Sequence, residues 1–319
     1  MSVDYTIFYK SPLDPDGDWA KDQTWDVFIS AFNTSERVRR VFESAQAKDK
    51  HWIVHAEYAF APEQRPASGN VFMSRDEIRE DDCIQEFLSK NCPDIKTGTL
   101  CIDISGFMRP HLMFLIRVLK AKGVRSFDAL YSEPKQYVRR EATELAKWRV
   151  TEVRPVSGFE GTHQPSLGAD DDLLIIGAGY EHHLMGQVAN AKTNTRKIQL
   201  FGFPSLQADF YQENMLNAHK AAEAVSATNE KHPLFAPAND PFVTAAVLHE
   251  KVTEERRHGV KNIYLCPLAS RPQALGFALY YLYEGIEESV SIIYPFATRY
   301  AHETTIGIAR IWKYHIELS

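Results

Sequence analysis

The chain repeats one hydrophobic pattern four times: a short, nearly continuous apolar run, a turn of small or polar residues, then apolar residues at helical spacing. "WDVFISAFNTSERVRRVFESA" opens the first around Asp26, and "TLCIDISGFMRPHLMFLIRVL" follows from Thr99. "DDLLIIGAGYEHHLMGQVANA" begins at Asp171 and "NIYLCPLASRPQALGFALYYL" at Asn262. Near-continuous apolar strands separated by helices predict mostly parallel sheets covered on both faces.

The four form two pairs. "DVFISAFN" aligns with "DLLIIGAG" without a gap when Asp26 is set against Asp172, an offset of 172 − 26 = 146. Arg109 aligns with Arg271 at 271 − 109 = 162, and a proline follows each. Further on, Tyr131 and Tyr294 take matching places, each followed six residues later by another tyrosine, Tyr137 and Tyr300. All α/β units share strand-turn-helix patterns, but landmarks in one order at near-constant offset favour tandem duplication of one Rossmann-like domain. The fold class expected is α/β, with a first domain over residues 1–160 carrying an N-terminal extension and a second over 161–319. The segment "PVSGFEGTHQPSLGADD" has the Gly, Pro, Ser and Asp of a linker. The tail "TTIGIARIWKYHIEL" alternates apolar and polar residues, which predicts an edge strand of the second domain.

Predicted strands in the first domain are "DVFISAF", "HWIVHAEYAF", "LCIDIS" and "FDALYS", with helices near Ser35–Ala47, Arg75–Asn91 and Pro110–Lys122. The second offers "LLIIGAG", "KIQLFGF", "IYLCPL" and "SIIYPF", with helices near Glu181–Ala191, Asn214–Ala227, Pro241–His258 and Pro272–Glu284.

Composition narrows the class. At 319 residues the chain suits two domains. A formal net charge of −6 argues against non-specific DNA binding, while leaving room for a small anion held by local arginines. Cys83, Cys92, Cys101 and Cys266 are scattered, without the spacing of a zinc knuckle or a disulfide framework. No apolar window is long enough for a membrane span and the first residues are polar, so a cytoplasmic protein is expected.

In an open α/β sheet, ligands collect outside the carboxyl ends of the strands. The turns there supply Ser30, Asn33, Thr34, Ser105, Gly106 and Arg109 in the first domain. In the second they supply Gly177, Gly179, Tyr180, His182, Ser270 and Arg271. Backbone N–H groups at a helix start beside an arginine suit an anionic ligand. Ser30 and Ser105 are equally suited to capping helices. "GAG" at Gly177–Gly179 lacks the third glycine and acidic residue of a dinucleotide fingerprint, and reads as well as a tight turn. His182 and His183 have no local ligand partners, so neither a metal nor a cofactor is expected. The common catalytic motifs are absent, which leaves Glu57 in "HAEYAF" as the candidate acid or base. "KQYVRREATELAKWR" reads as a solvated helix anchored by Tyr137 and Trp148, or as a partner surface.

Tandem α/β halves with a helix-leading turn after the fourth strand resemble the CARF and SAVED sensor domains of prokaryotic antiviral defence systems. In those families the turn carries a TGGTK-like motif. Here "SGFMR" at Ser105–Arg109 and "PLASRPQALG" at Pro267–Gly276 take that place. Arg109 and Arg271 match the basic residue and Ser105 the hydroxyl; the central glycine pair is missing from both halves, and Pro267 replaces the second hydroxyl. The resemblance implies a sensor or regulatory subunit that binds a cyclic oligonucleotide or related nucleotide in one cleft between the halves, with both arginines facing phosphates. It also implies action through a separate effector protein, and is compatible with a homo-oligomer. Two alternatives stay open: a Rossmann- or TIR-like enzyme acting on a nucleotide or NAD-type substrate, and a structural adaptor of a defence complex.

Overall fold

The computed structural model describes residues 3–21, 23–67, 69–137, 150–166, 168, 171–179, 182–206, 233–286, 288–300 and 305–318. Strands β1 (Lys10–Leu13), β2 (Thr24–Ala31), β3 (Gln46–Val54), β4 (Asn70–Met73), β5 (Leu100–Asp103), β6 (Ser126–Glu133) and β7 (Gln136–Tyr137) come first. Then follow β8 (Val150–Pro155), β9 (Asp172–Gly177), β10 (Arg196–Gly202), β11 (Leu234–Ala236), β12 (Asn262–Pro267) and β13 (Val290–Ala297). β14 (Thr305–Ile306) and β15 (Arg310–Glu317) close the chain. The described α-helices are α1 (Glu36–Ser44), α2 (Glu80–Asn91), α3 (Arg109–Ala121), α4 (His182–Ala191), α5 (Pro241–Arg257) and α6 (Arg271–Tyr280).

Two units divide these elements. The first comprises Phe8–Arg149 and Ala297–Ser319, the second Met1–Ile7 and Val150–Phe296. In the first unit the sheet order is β1-β15-β6-β5-β2-β3-β4. The five strands β4, β3, β2, β5 and β6 pair parallel, while β15 pairs antiparallel with both β6 and β1. In the second unit the order is β11-β10-β9-β12-β13-β8, with parallel pairs from β11 through β13. Numbered along the chain, each five-strand set runs third, second, first, fourth, fifth across its sheet. That order is compatible with a Rossmann-like arrangement.

Local chemistry explains the helices. α1 buries Val38, Val41 and Phe42, spaced three and four apart on one face. α2 opens on Glu80, Asp81 and Asp82, which favour the positive end of its dipole. Pro110 and Pro272 sit in the first turns of α3 and α6, where a missing N–H costs nothing. Asp240 caps α5, accepting from the N–H groups of Phe242 at 3.0 Å and Val243 at 3.1 Å. Under α1, the Phe42 and Trp52 rings stack at 3.7 Å, and the Phe32 ring meets Trp52 and Phe60 edge-on.

Three expectations change. The tail strand β15 joins the first unit, not the second, and lies between β6 and β1 instead of at an edge. Its alternation specifies a strand with one buried face but not its partner. The boundary falls at residue 149/150, ahead of "PVSGFEGTHQPSLGADD", because Val156 and Phe159 in that segment are fully buried. "HWIVHAEYAF" stops being a strand at Val54 and turns through a short 3-10 helix, Ala56–Tyr58. The helix expected at Asn214–Ala227 lies outside the described residues. None of the described helices is long and apolar enough to cross a membrane.

Candidate functional site

At the switch point of each sheet, the turn after one strand presses against the turn after its neighbour. A Cβ on Gly106, which follows β5, would lie 1.9 Å from the carbonyl oxygen of Ala31 at the end of β2. In the second unit a Cβ on Gly179, which follows β9, would lie 2.1 Å from the carbonyl oxygen of Leu268 after β12. Glycine is needed at both places for close backbone approach, and the crevice there is filled by main chain. Gly177 lies within β9 against the Phe277 ring.

The polar residues of the first unit's turns face inward. Ser30 Oγ donates to Asp103 Oδ2 at 3.0 Å, and the Ser105 N–H donates to Asp103 Oδ1 at 3.0 Å. Ser105 Oγ in turn accepts from the Ser132 N–H at 2.8 Å and from the Ser132 hydroxyl at 2.9 Å. The Arg37 guanidinium, fully buried, donates to the Ser132 carbonyl and to Thr305 Oγ1. Burial raises the Asp103 carboxyl above the ordinary aspartate range, against the bonds from Ser105 and Ser30 and the Arg37 charge. Ser30 and Ser105 therefore cap neither α1 nor α3, whose cap positions belong to Ser35 and Met108. Asn33, buried, shapes the entry to α1 by accepting from the Ser35 N–H and hydroxyl at 2.8 and 2.9 Å. Thr34 beside it is half-buried.

Arg109 and Arg271 are half-buried and open α3 and α6, the helices that follow β5 and β12. Ser270 caps α6, accepting from the Gln273 N–H at 3.3 Å and donating to the Ala238 carbonyl. His182 opens α4; Tyr180 and Trp148 lie outside the described residues. Tyr137 belongs to β7, which pairs with β14.

A second group gathers at the carboxyl ends of β3 and β4. His55 follows β3, Cys83 is the fourth residue of α2 and His111 the third of α3. His55 and Cys83 are wholly buried and His111 is 2% exposed. One ligand atom from each lies within 4.8 Å of the others. The two imidazole centroids are 4.4 Å apart, and Glu57 Oε1 is 3.7 Å from His111 Nε2. Both ring nitrogens of His55, both of His111 and Glu57 Oε2 are buried without a hydrogen-bond partner. Burial, then the neighbouring His111, hold His55 well below the usual histidine range. Burial pushes the Cys83 thiol up to about 12.

His55 also lines a cavity of about 270 Å³, with Ser74, Arg65, Asp76 and Arg299 among the other lining residues. A cavity of about 280 Å³ lies at the opposite, amino ends of β2, β5 and β6. There the polar groups are mutually satisfied: Asp128 accepts from Trp25 Nε1 at 2.9 Å and pairs with His315 at 2.9 Å.

His55, Cys83 and His111 are the functional candidates that sequence reasoning missed. Their spacings are 83 − 55 = 28 and 111 − 83 = 28 residues, far beyond any short ligand motif. The available signals were "HAE", which puts Glu57 beside His55, and a histidine directly after the Arg-Pro pair. No protein-family model matches the chain, and no curated protein matches it.

Proposed function

We propose that the chain is a nucleotide-ligand sensor or regulatory protein that takes an anionic ligand at the carboxyl ends of its parallel strands. The observation that carries this reading is the cavity beyond β3 and β4, which pairs two guanidinium groups with a histidine. Arg65 is anchored by donation to the Phe60 carbonyl at 3.1 Å and Arg299 by donation to the Ala56 carbonyl at 3.3 Å. Anchored guanidinium groups beside a concave surface favour phosphate or carboxylate. At about 270 Å³ the cavity is just under the roughly 300–1,000 Å³ usual for small-molecule sites, a size suited to one nucleotide moiety.

The matched strand orders, the arginines opening α3 and α6, and Tyr131 and Tyr294 buried in β6 and β13 support an origin by tandem duplication. With that origin the likeness to CARF and SAVED sensors extends to a signalling role in antiphage defence, exerted through a separate effector. Arg109 and Arg271 remain ligand candidates in this reading, each in its own unit.

Isothermal titration of the full chain against cyclic oligonucleotides and mononucleotides is the test. Binding of at least one, weakened tenfold or more by Arg65→Ala or Arg299→Ala, is the expected result. Absence of binding across the panel, or binding untouched by both variants, contradicts the cavity assignment. Loss on Arg109→Ala or Arg271→Ala would move the site to the helix starts.

A further inference from the structure

We propose that His55, Cys83, His111 and Glu57 form a zinc-binding site in the first unit. This site rests on observations other than those of the anion reading, although His55 borders both. A neutral imidazole has one N–H to donate and one nitrogen to accept with. Two buried imidazoles with no hydrogen bonds leave four such groups unpaired, and each unpaired buried group costs stability. Folded proteins rarely carry that many orphans in one place; one nitrogen of each ring converges with the Cys83 thiol, and Glu57 Oε1 lies 3.7 Å from His111 Nε2.

The donor set identifies the ion. Imidazole and thiolate are ligands of zinc and its transition-metal neighbours, whereas magnesium and calcium require oxygen donors. Tetrahedral zinc with Zn–N near 2.0 Å and Zn–S near 2.3 Å places ligand atoms roughly 3.3–3.8 Å apart. The ligand atoms of His55, Cys83 and His111 lie within 4.8 Å of one another, so the site requires side-chain rotation to reach that spacing. Charge balances as well. On binding, the Cys83 S–H bond breaks, its proton leaves to solvent, and a thiolate–zinc bond forms. The thiolate and the Glu57 carboxylate then cancel the two charges of Zn²⁺, so no net charge is buried. His55 and His111 contribute as neutral imidazoles, the form in which histidine ligates a metal.

The neighbouring unit sharpens the case. The corresponding helix positions, fourth after α5 begins and third after α6 begins, hold Thr244 and Gln273. Thr244 Oγ1 donates to the Asp240 carbonyl at 2.8 Å, and Gln273 Nε2 donates to the Ala236 carbonyl at 3.4 Å. These groups close on the protein itself, whereas both ring nitrogens of His111 do not.

The test is elemental analysis of the full chain after zinc loading and removal of free metal, with cobalt(II) substitution alongside. About one zinc per chain is expected, and a thiolate-to-cobalt charge-transfer band in the near ultraviolet. Cys83→Ser should abolish the band, and His111→Gln should weaken zinc affinity at least tenfold. Circular dichroism with chelator present establishes that each variant is folded. If a variant does not fold, the cobalt spectrum of the unaltered chain still decides, since the band reports sulfur ligation directly. A zinc-loaded chain that retains no metal, a cobalt form without the band, or folded variants that bind as the parent does would each overturn the site. The first of these would leave buried water as the occupant.

Discussion

The two units set the same five strands in the same order, yet treat their buried polar groups differently. After the second strand of each set stand His55 in one and Phe203 in the other; the next two helices contribute Cys83 and His111 against Thr244 and Gln273. Phe203 is half exposed, and Thr244 and Gln273 are hydrogen-bonded to main chain. The first unit instead holds histidines whose ring nitrogens are buried and unpaired. The comparison separates framework from chemistry. Both frameworks need a glycine where two turns touch, but among the described residues the cluster of two histidines and a cysteine stands in the first unit alone.

The largest effect that would break the comparison is expected at Arg37, which ties α1 to β6 from a fully buried position. Arg37→Ala leaves Asp103 without its compensating charge and should lower stability by about 3–5 kcal/mol in urea titration. A loss under about 1 kcal/mol would show that the network is not needed. Next come the two glycines at the touching turns. Gly106→Ala and Gly179→Ala should each cost about 1–3 kcal/mol, because each methyl meets a carbonyl oxygen. Equal costs support one shared framework; a cost in only one unit would break the parallel.

A smaller and pH-dependent effect belongs to Asp103. Its folded pKa is raised, so its contribution to stability is fully present below the ordinary aspartate value and is lost as pH rises through the folded pKa. The stability difference between the parent and Asp103→Asn should therefore shift against the parent as pH rises from 3.8, by at most about 1.4 kcal/mol per pH unit. A difference that is flat with pH would contradict the assignment. The smallest effect is expected at the cap of α6, where Ser270→Ala should cost about 1 kcal/mol by thermal denaturation.

Much of this framework was legible in the sequence. Apolar runs located β2, β5, β6, β9, β10, β12 and β13, since buried parallel strands carry a nearly unbroken apolar signal. Arg109-Pro110 placed the start of α3 within one residue. Short strands gave no such signal: β4 and β11 are held by one neighbour each, at the sheet edges. β3 begins at Gln46, inside the stretch whose pattern predicts the first helix, because "QAKDK" is polar and only the later half of the strand is buried. The partner of β15 was invisible, because alternation records a buried face and not the strand beside it. Ser30 and Ser105 were placed at the correct strand ends, but their hydroxyls turn inward to Asp103 and Ser132. His55, Cys83 and His111 meet only in three dimensions, through two helices and a strand end that no local spacing joins.

The most direct measurement is zinc anomalous scattering from crystals of the full chain soaked in zinc and washed. A single strong peak among His55, Cys83, His111 and Glu57, with none near Thr244 and Gln273, is the predicted result. Absence of a peak there, or a peak of equal strength in the second unit, would contradict the assignment of a zinc site to the first unit alone.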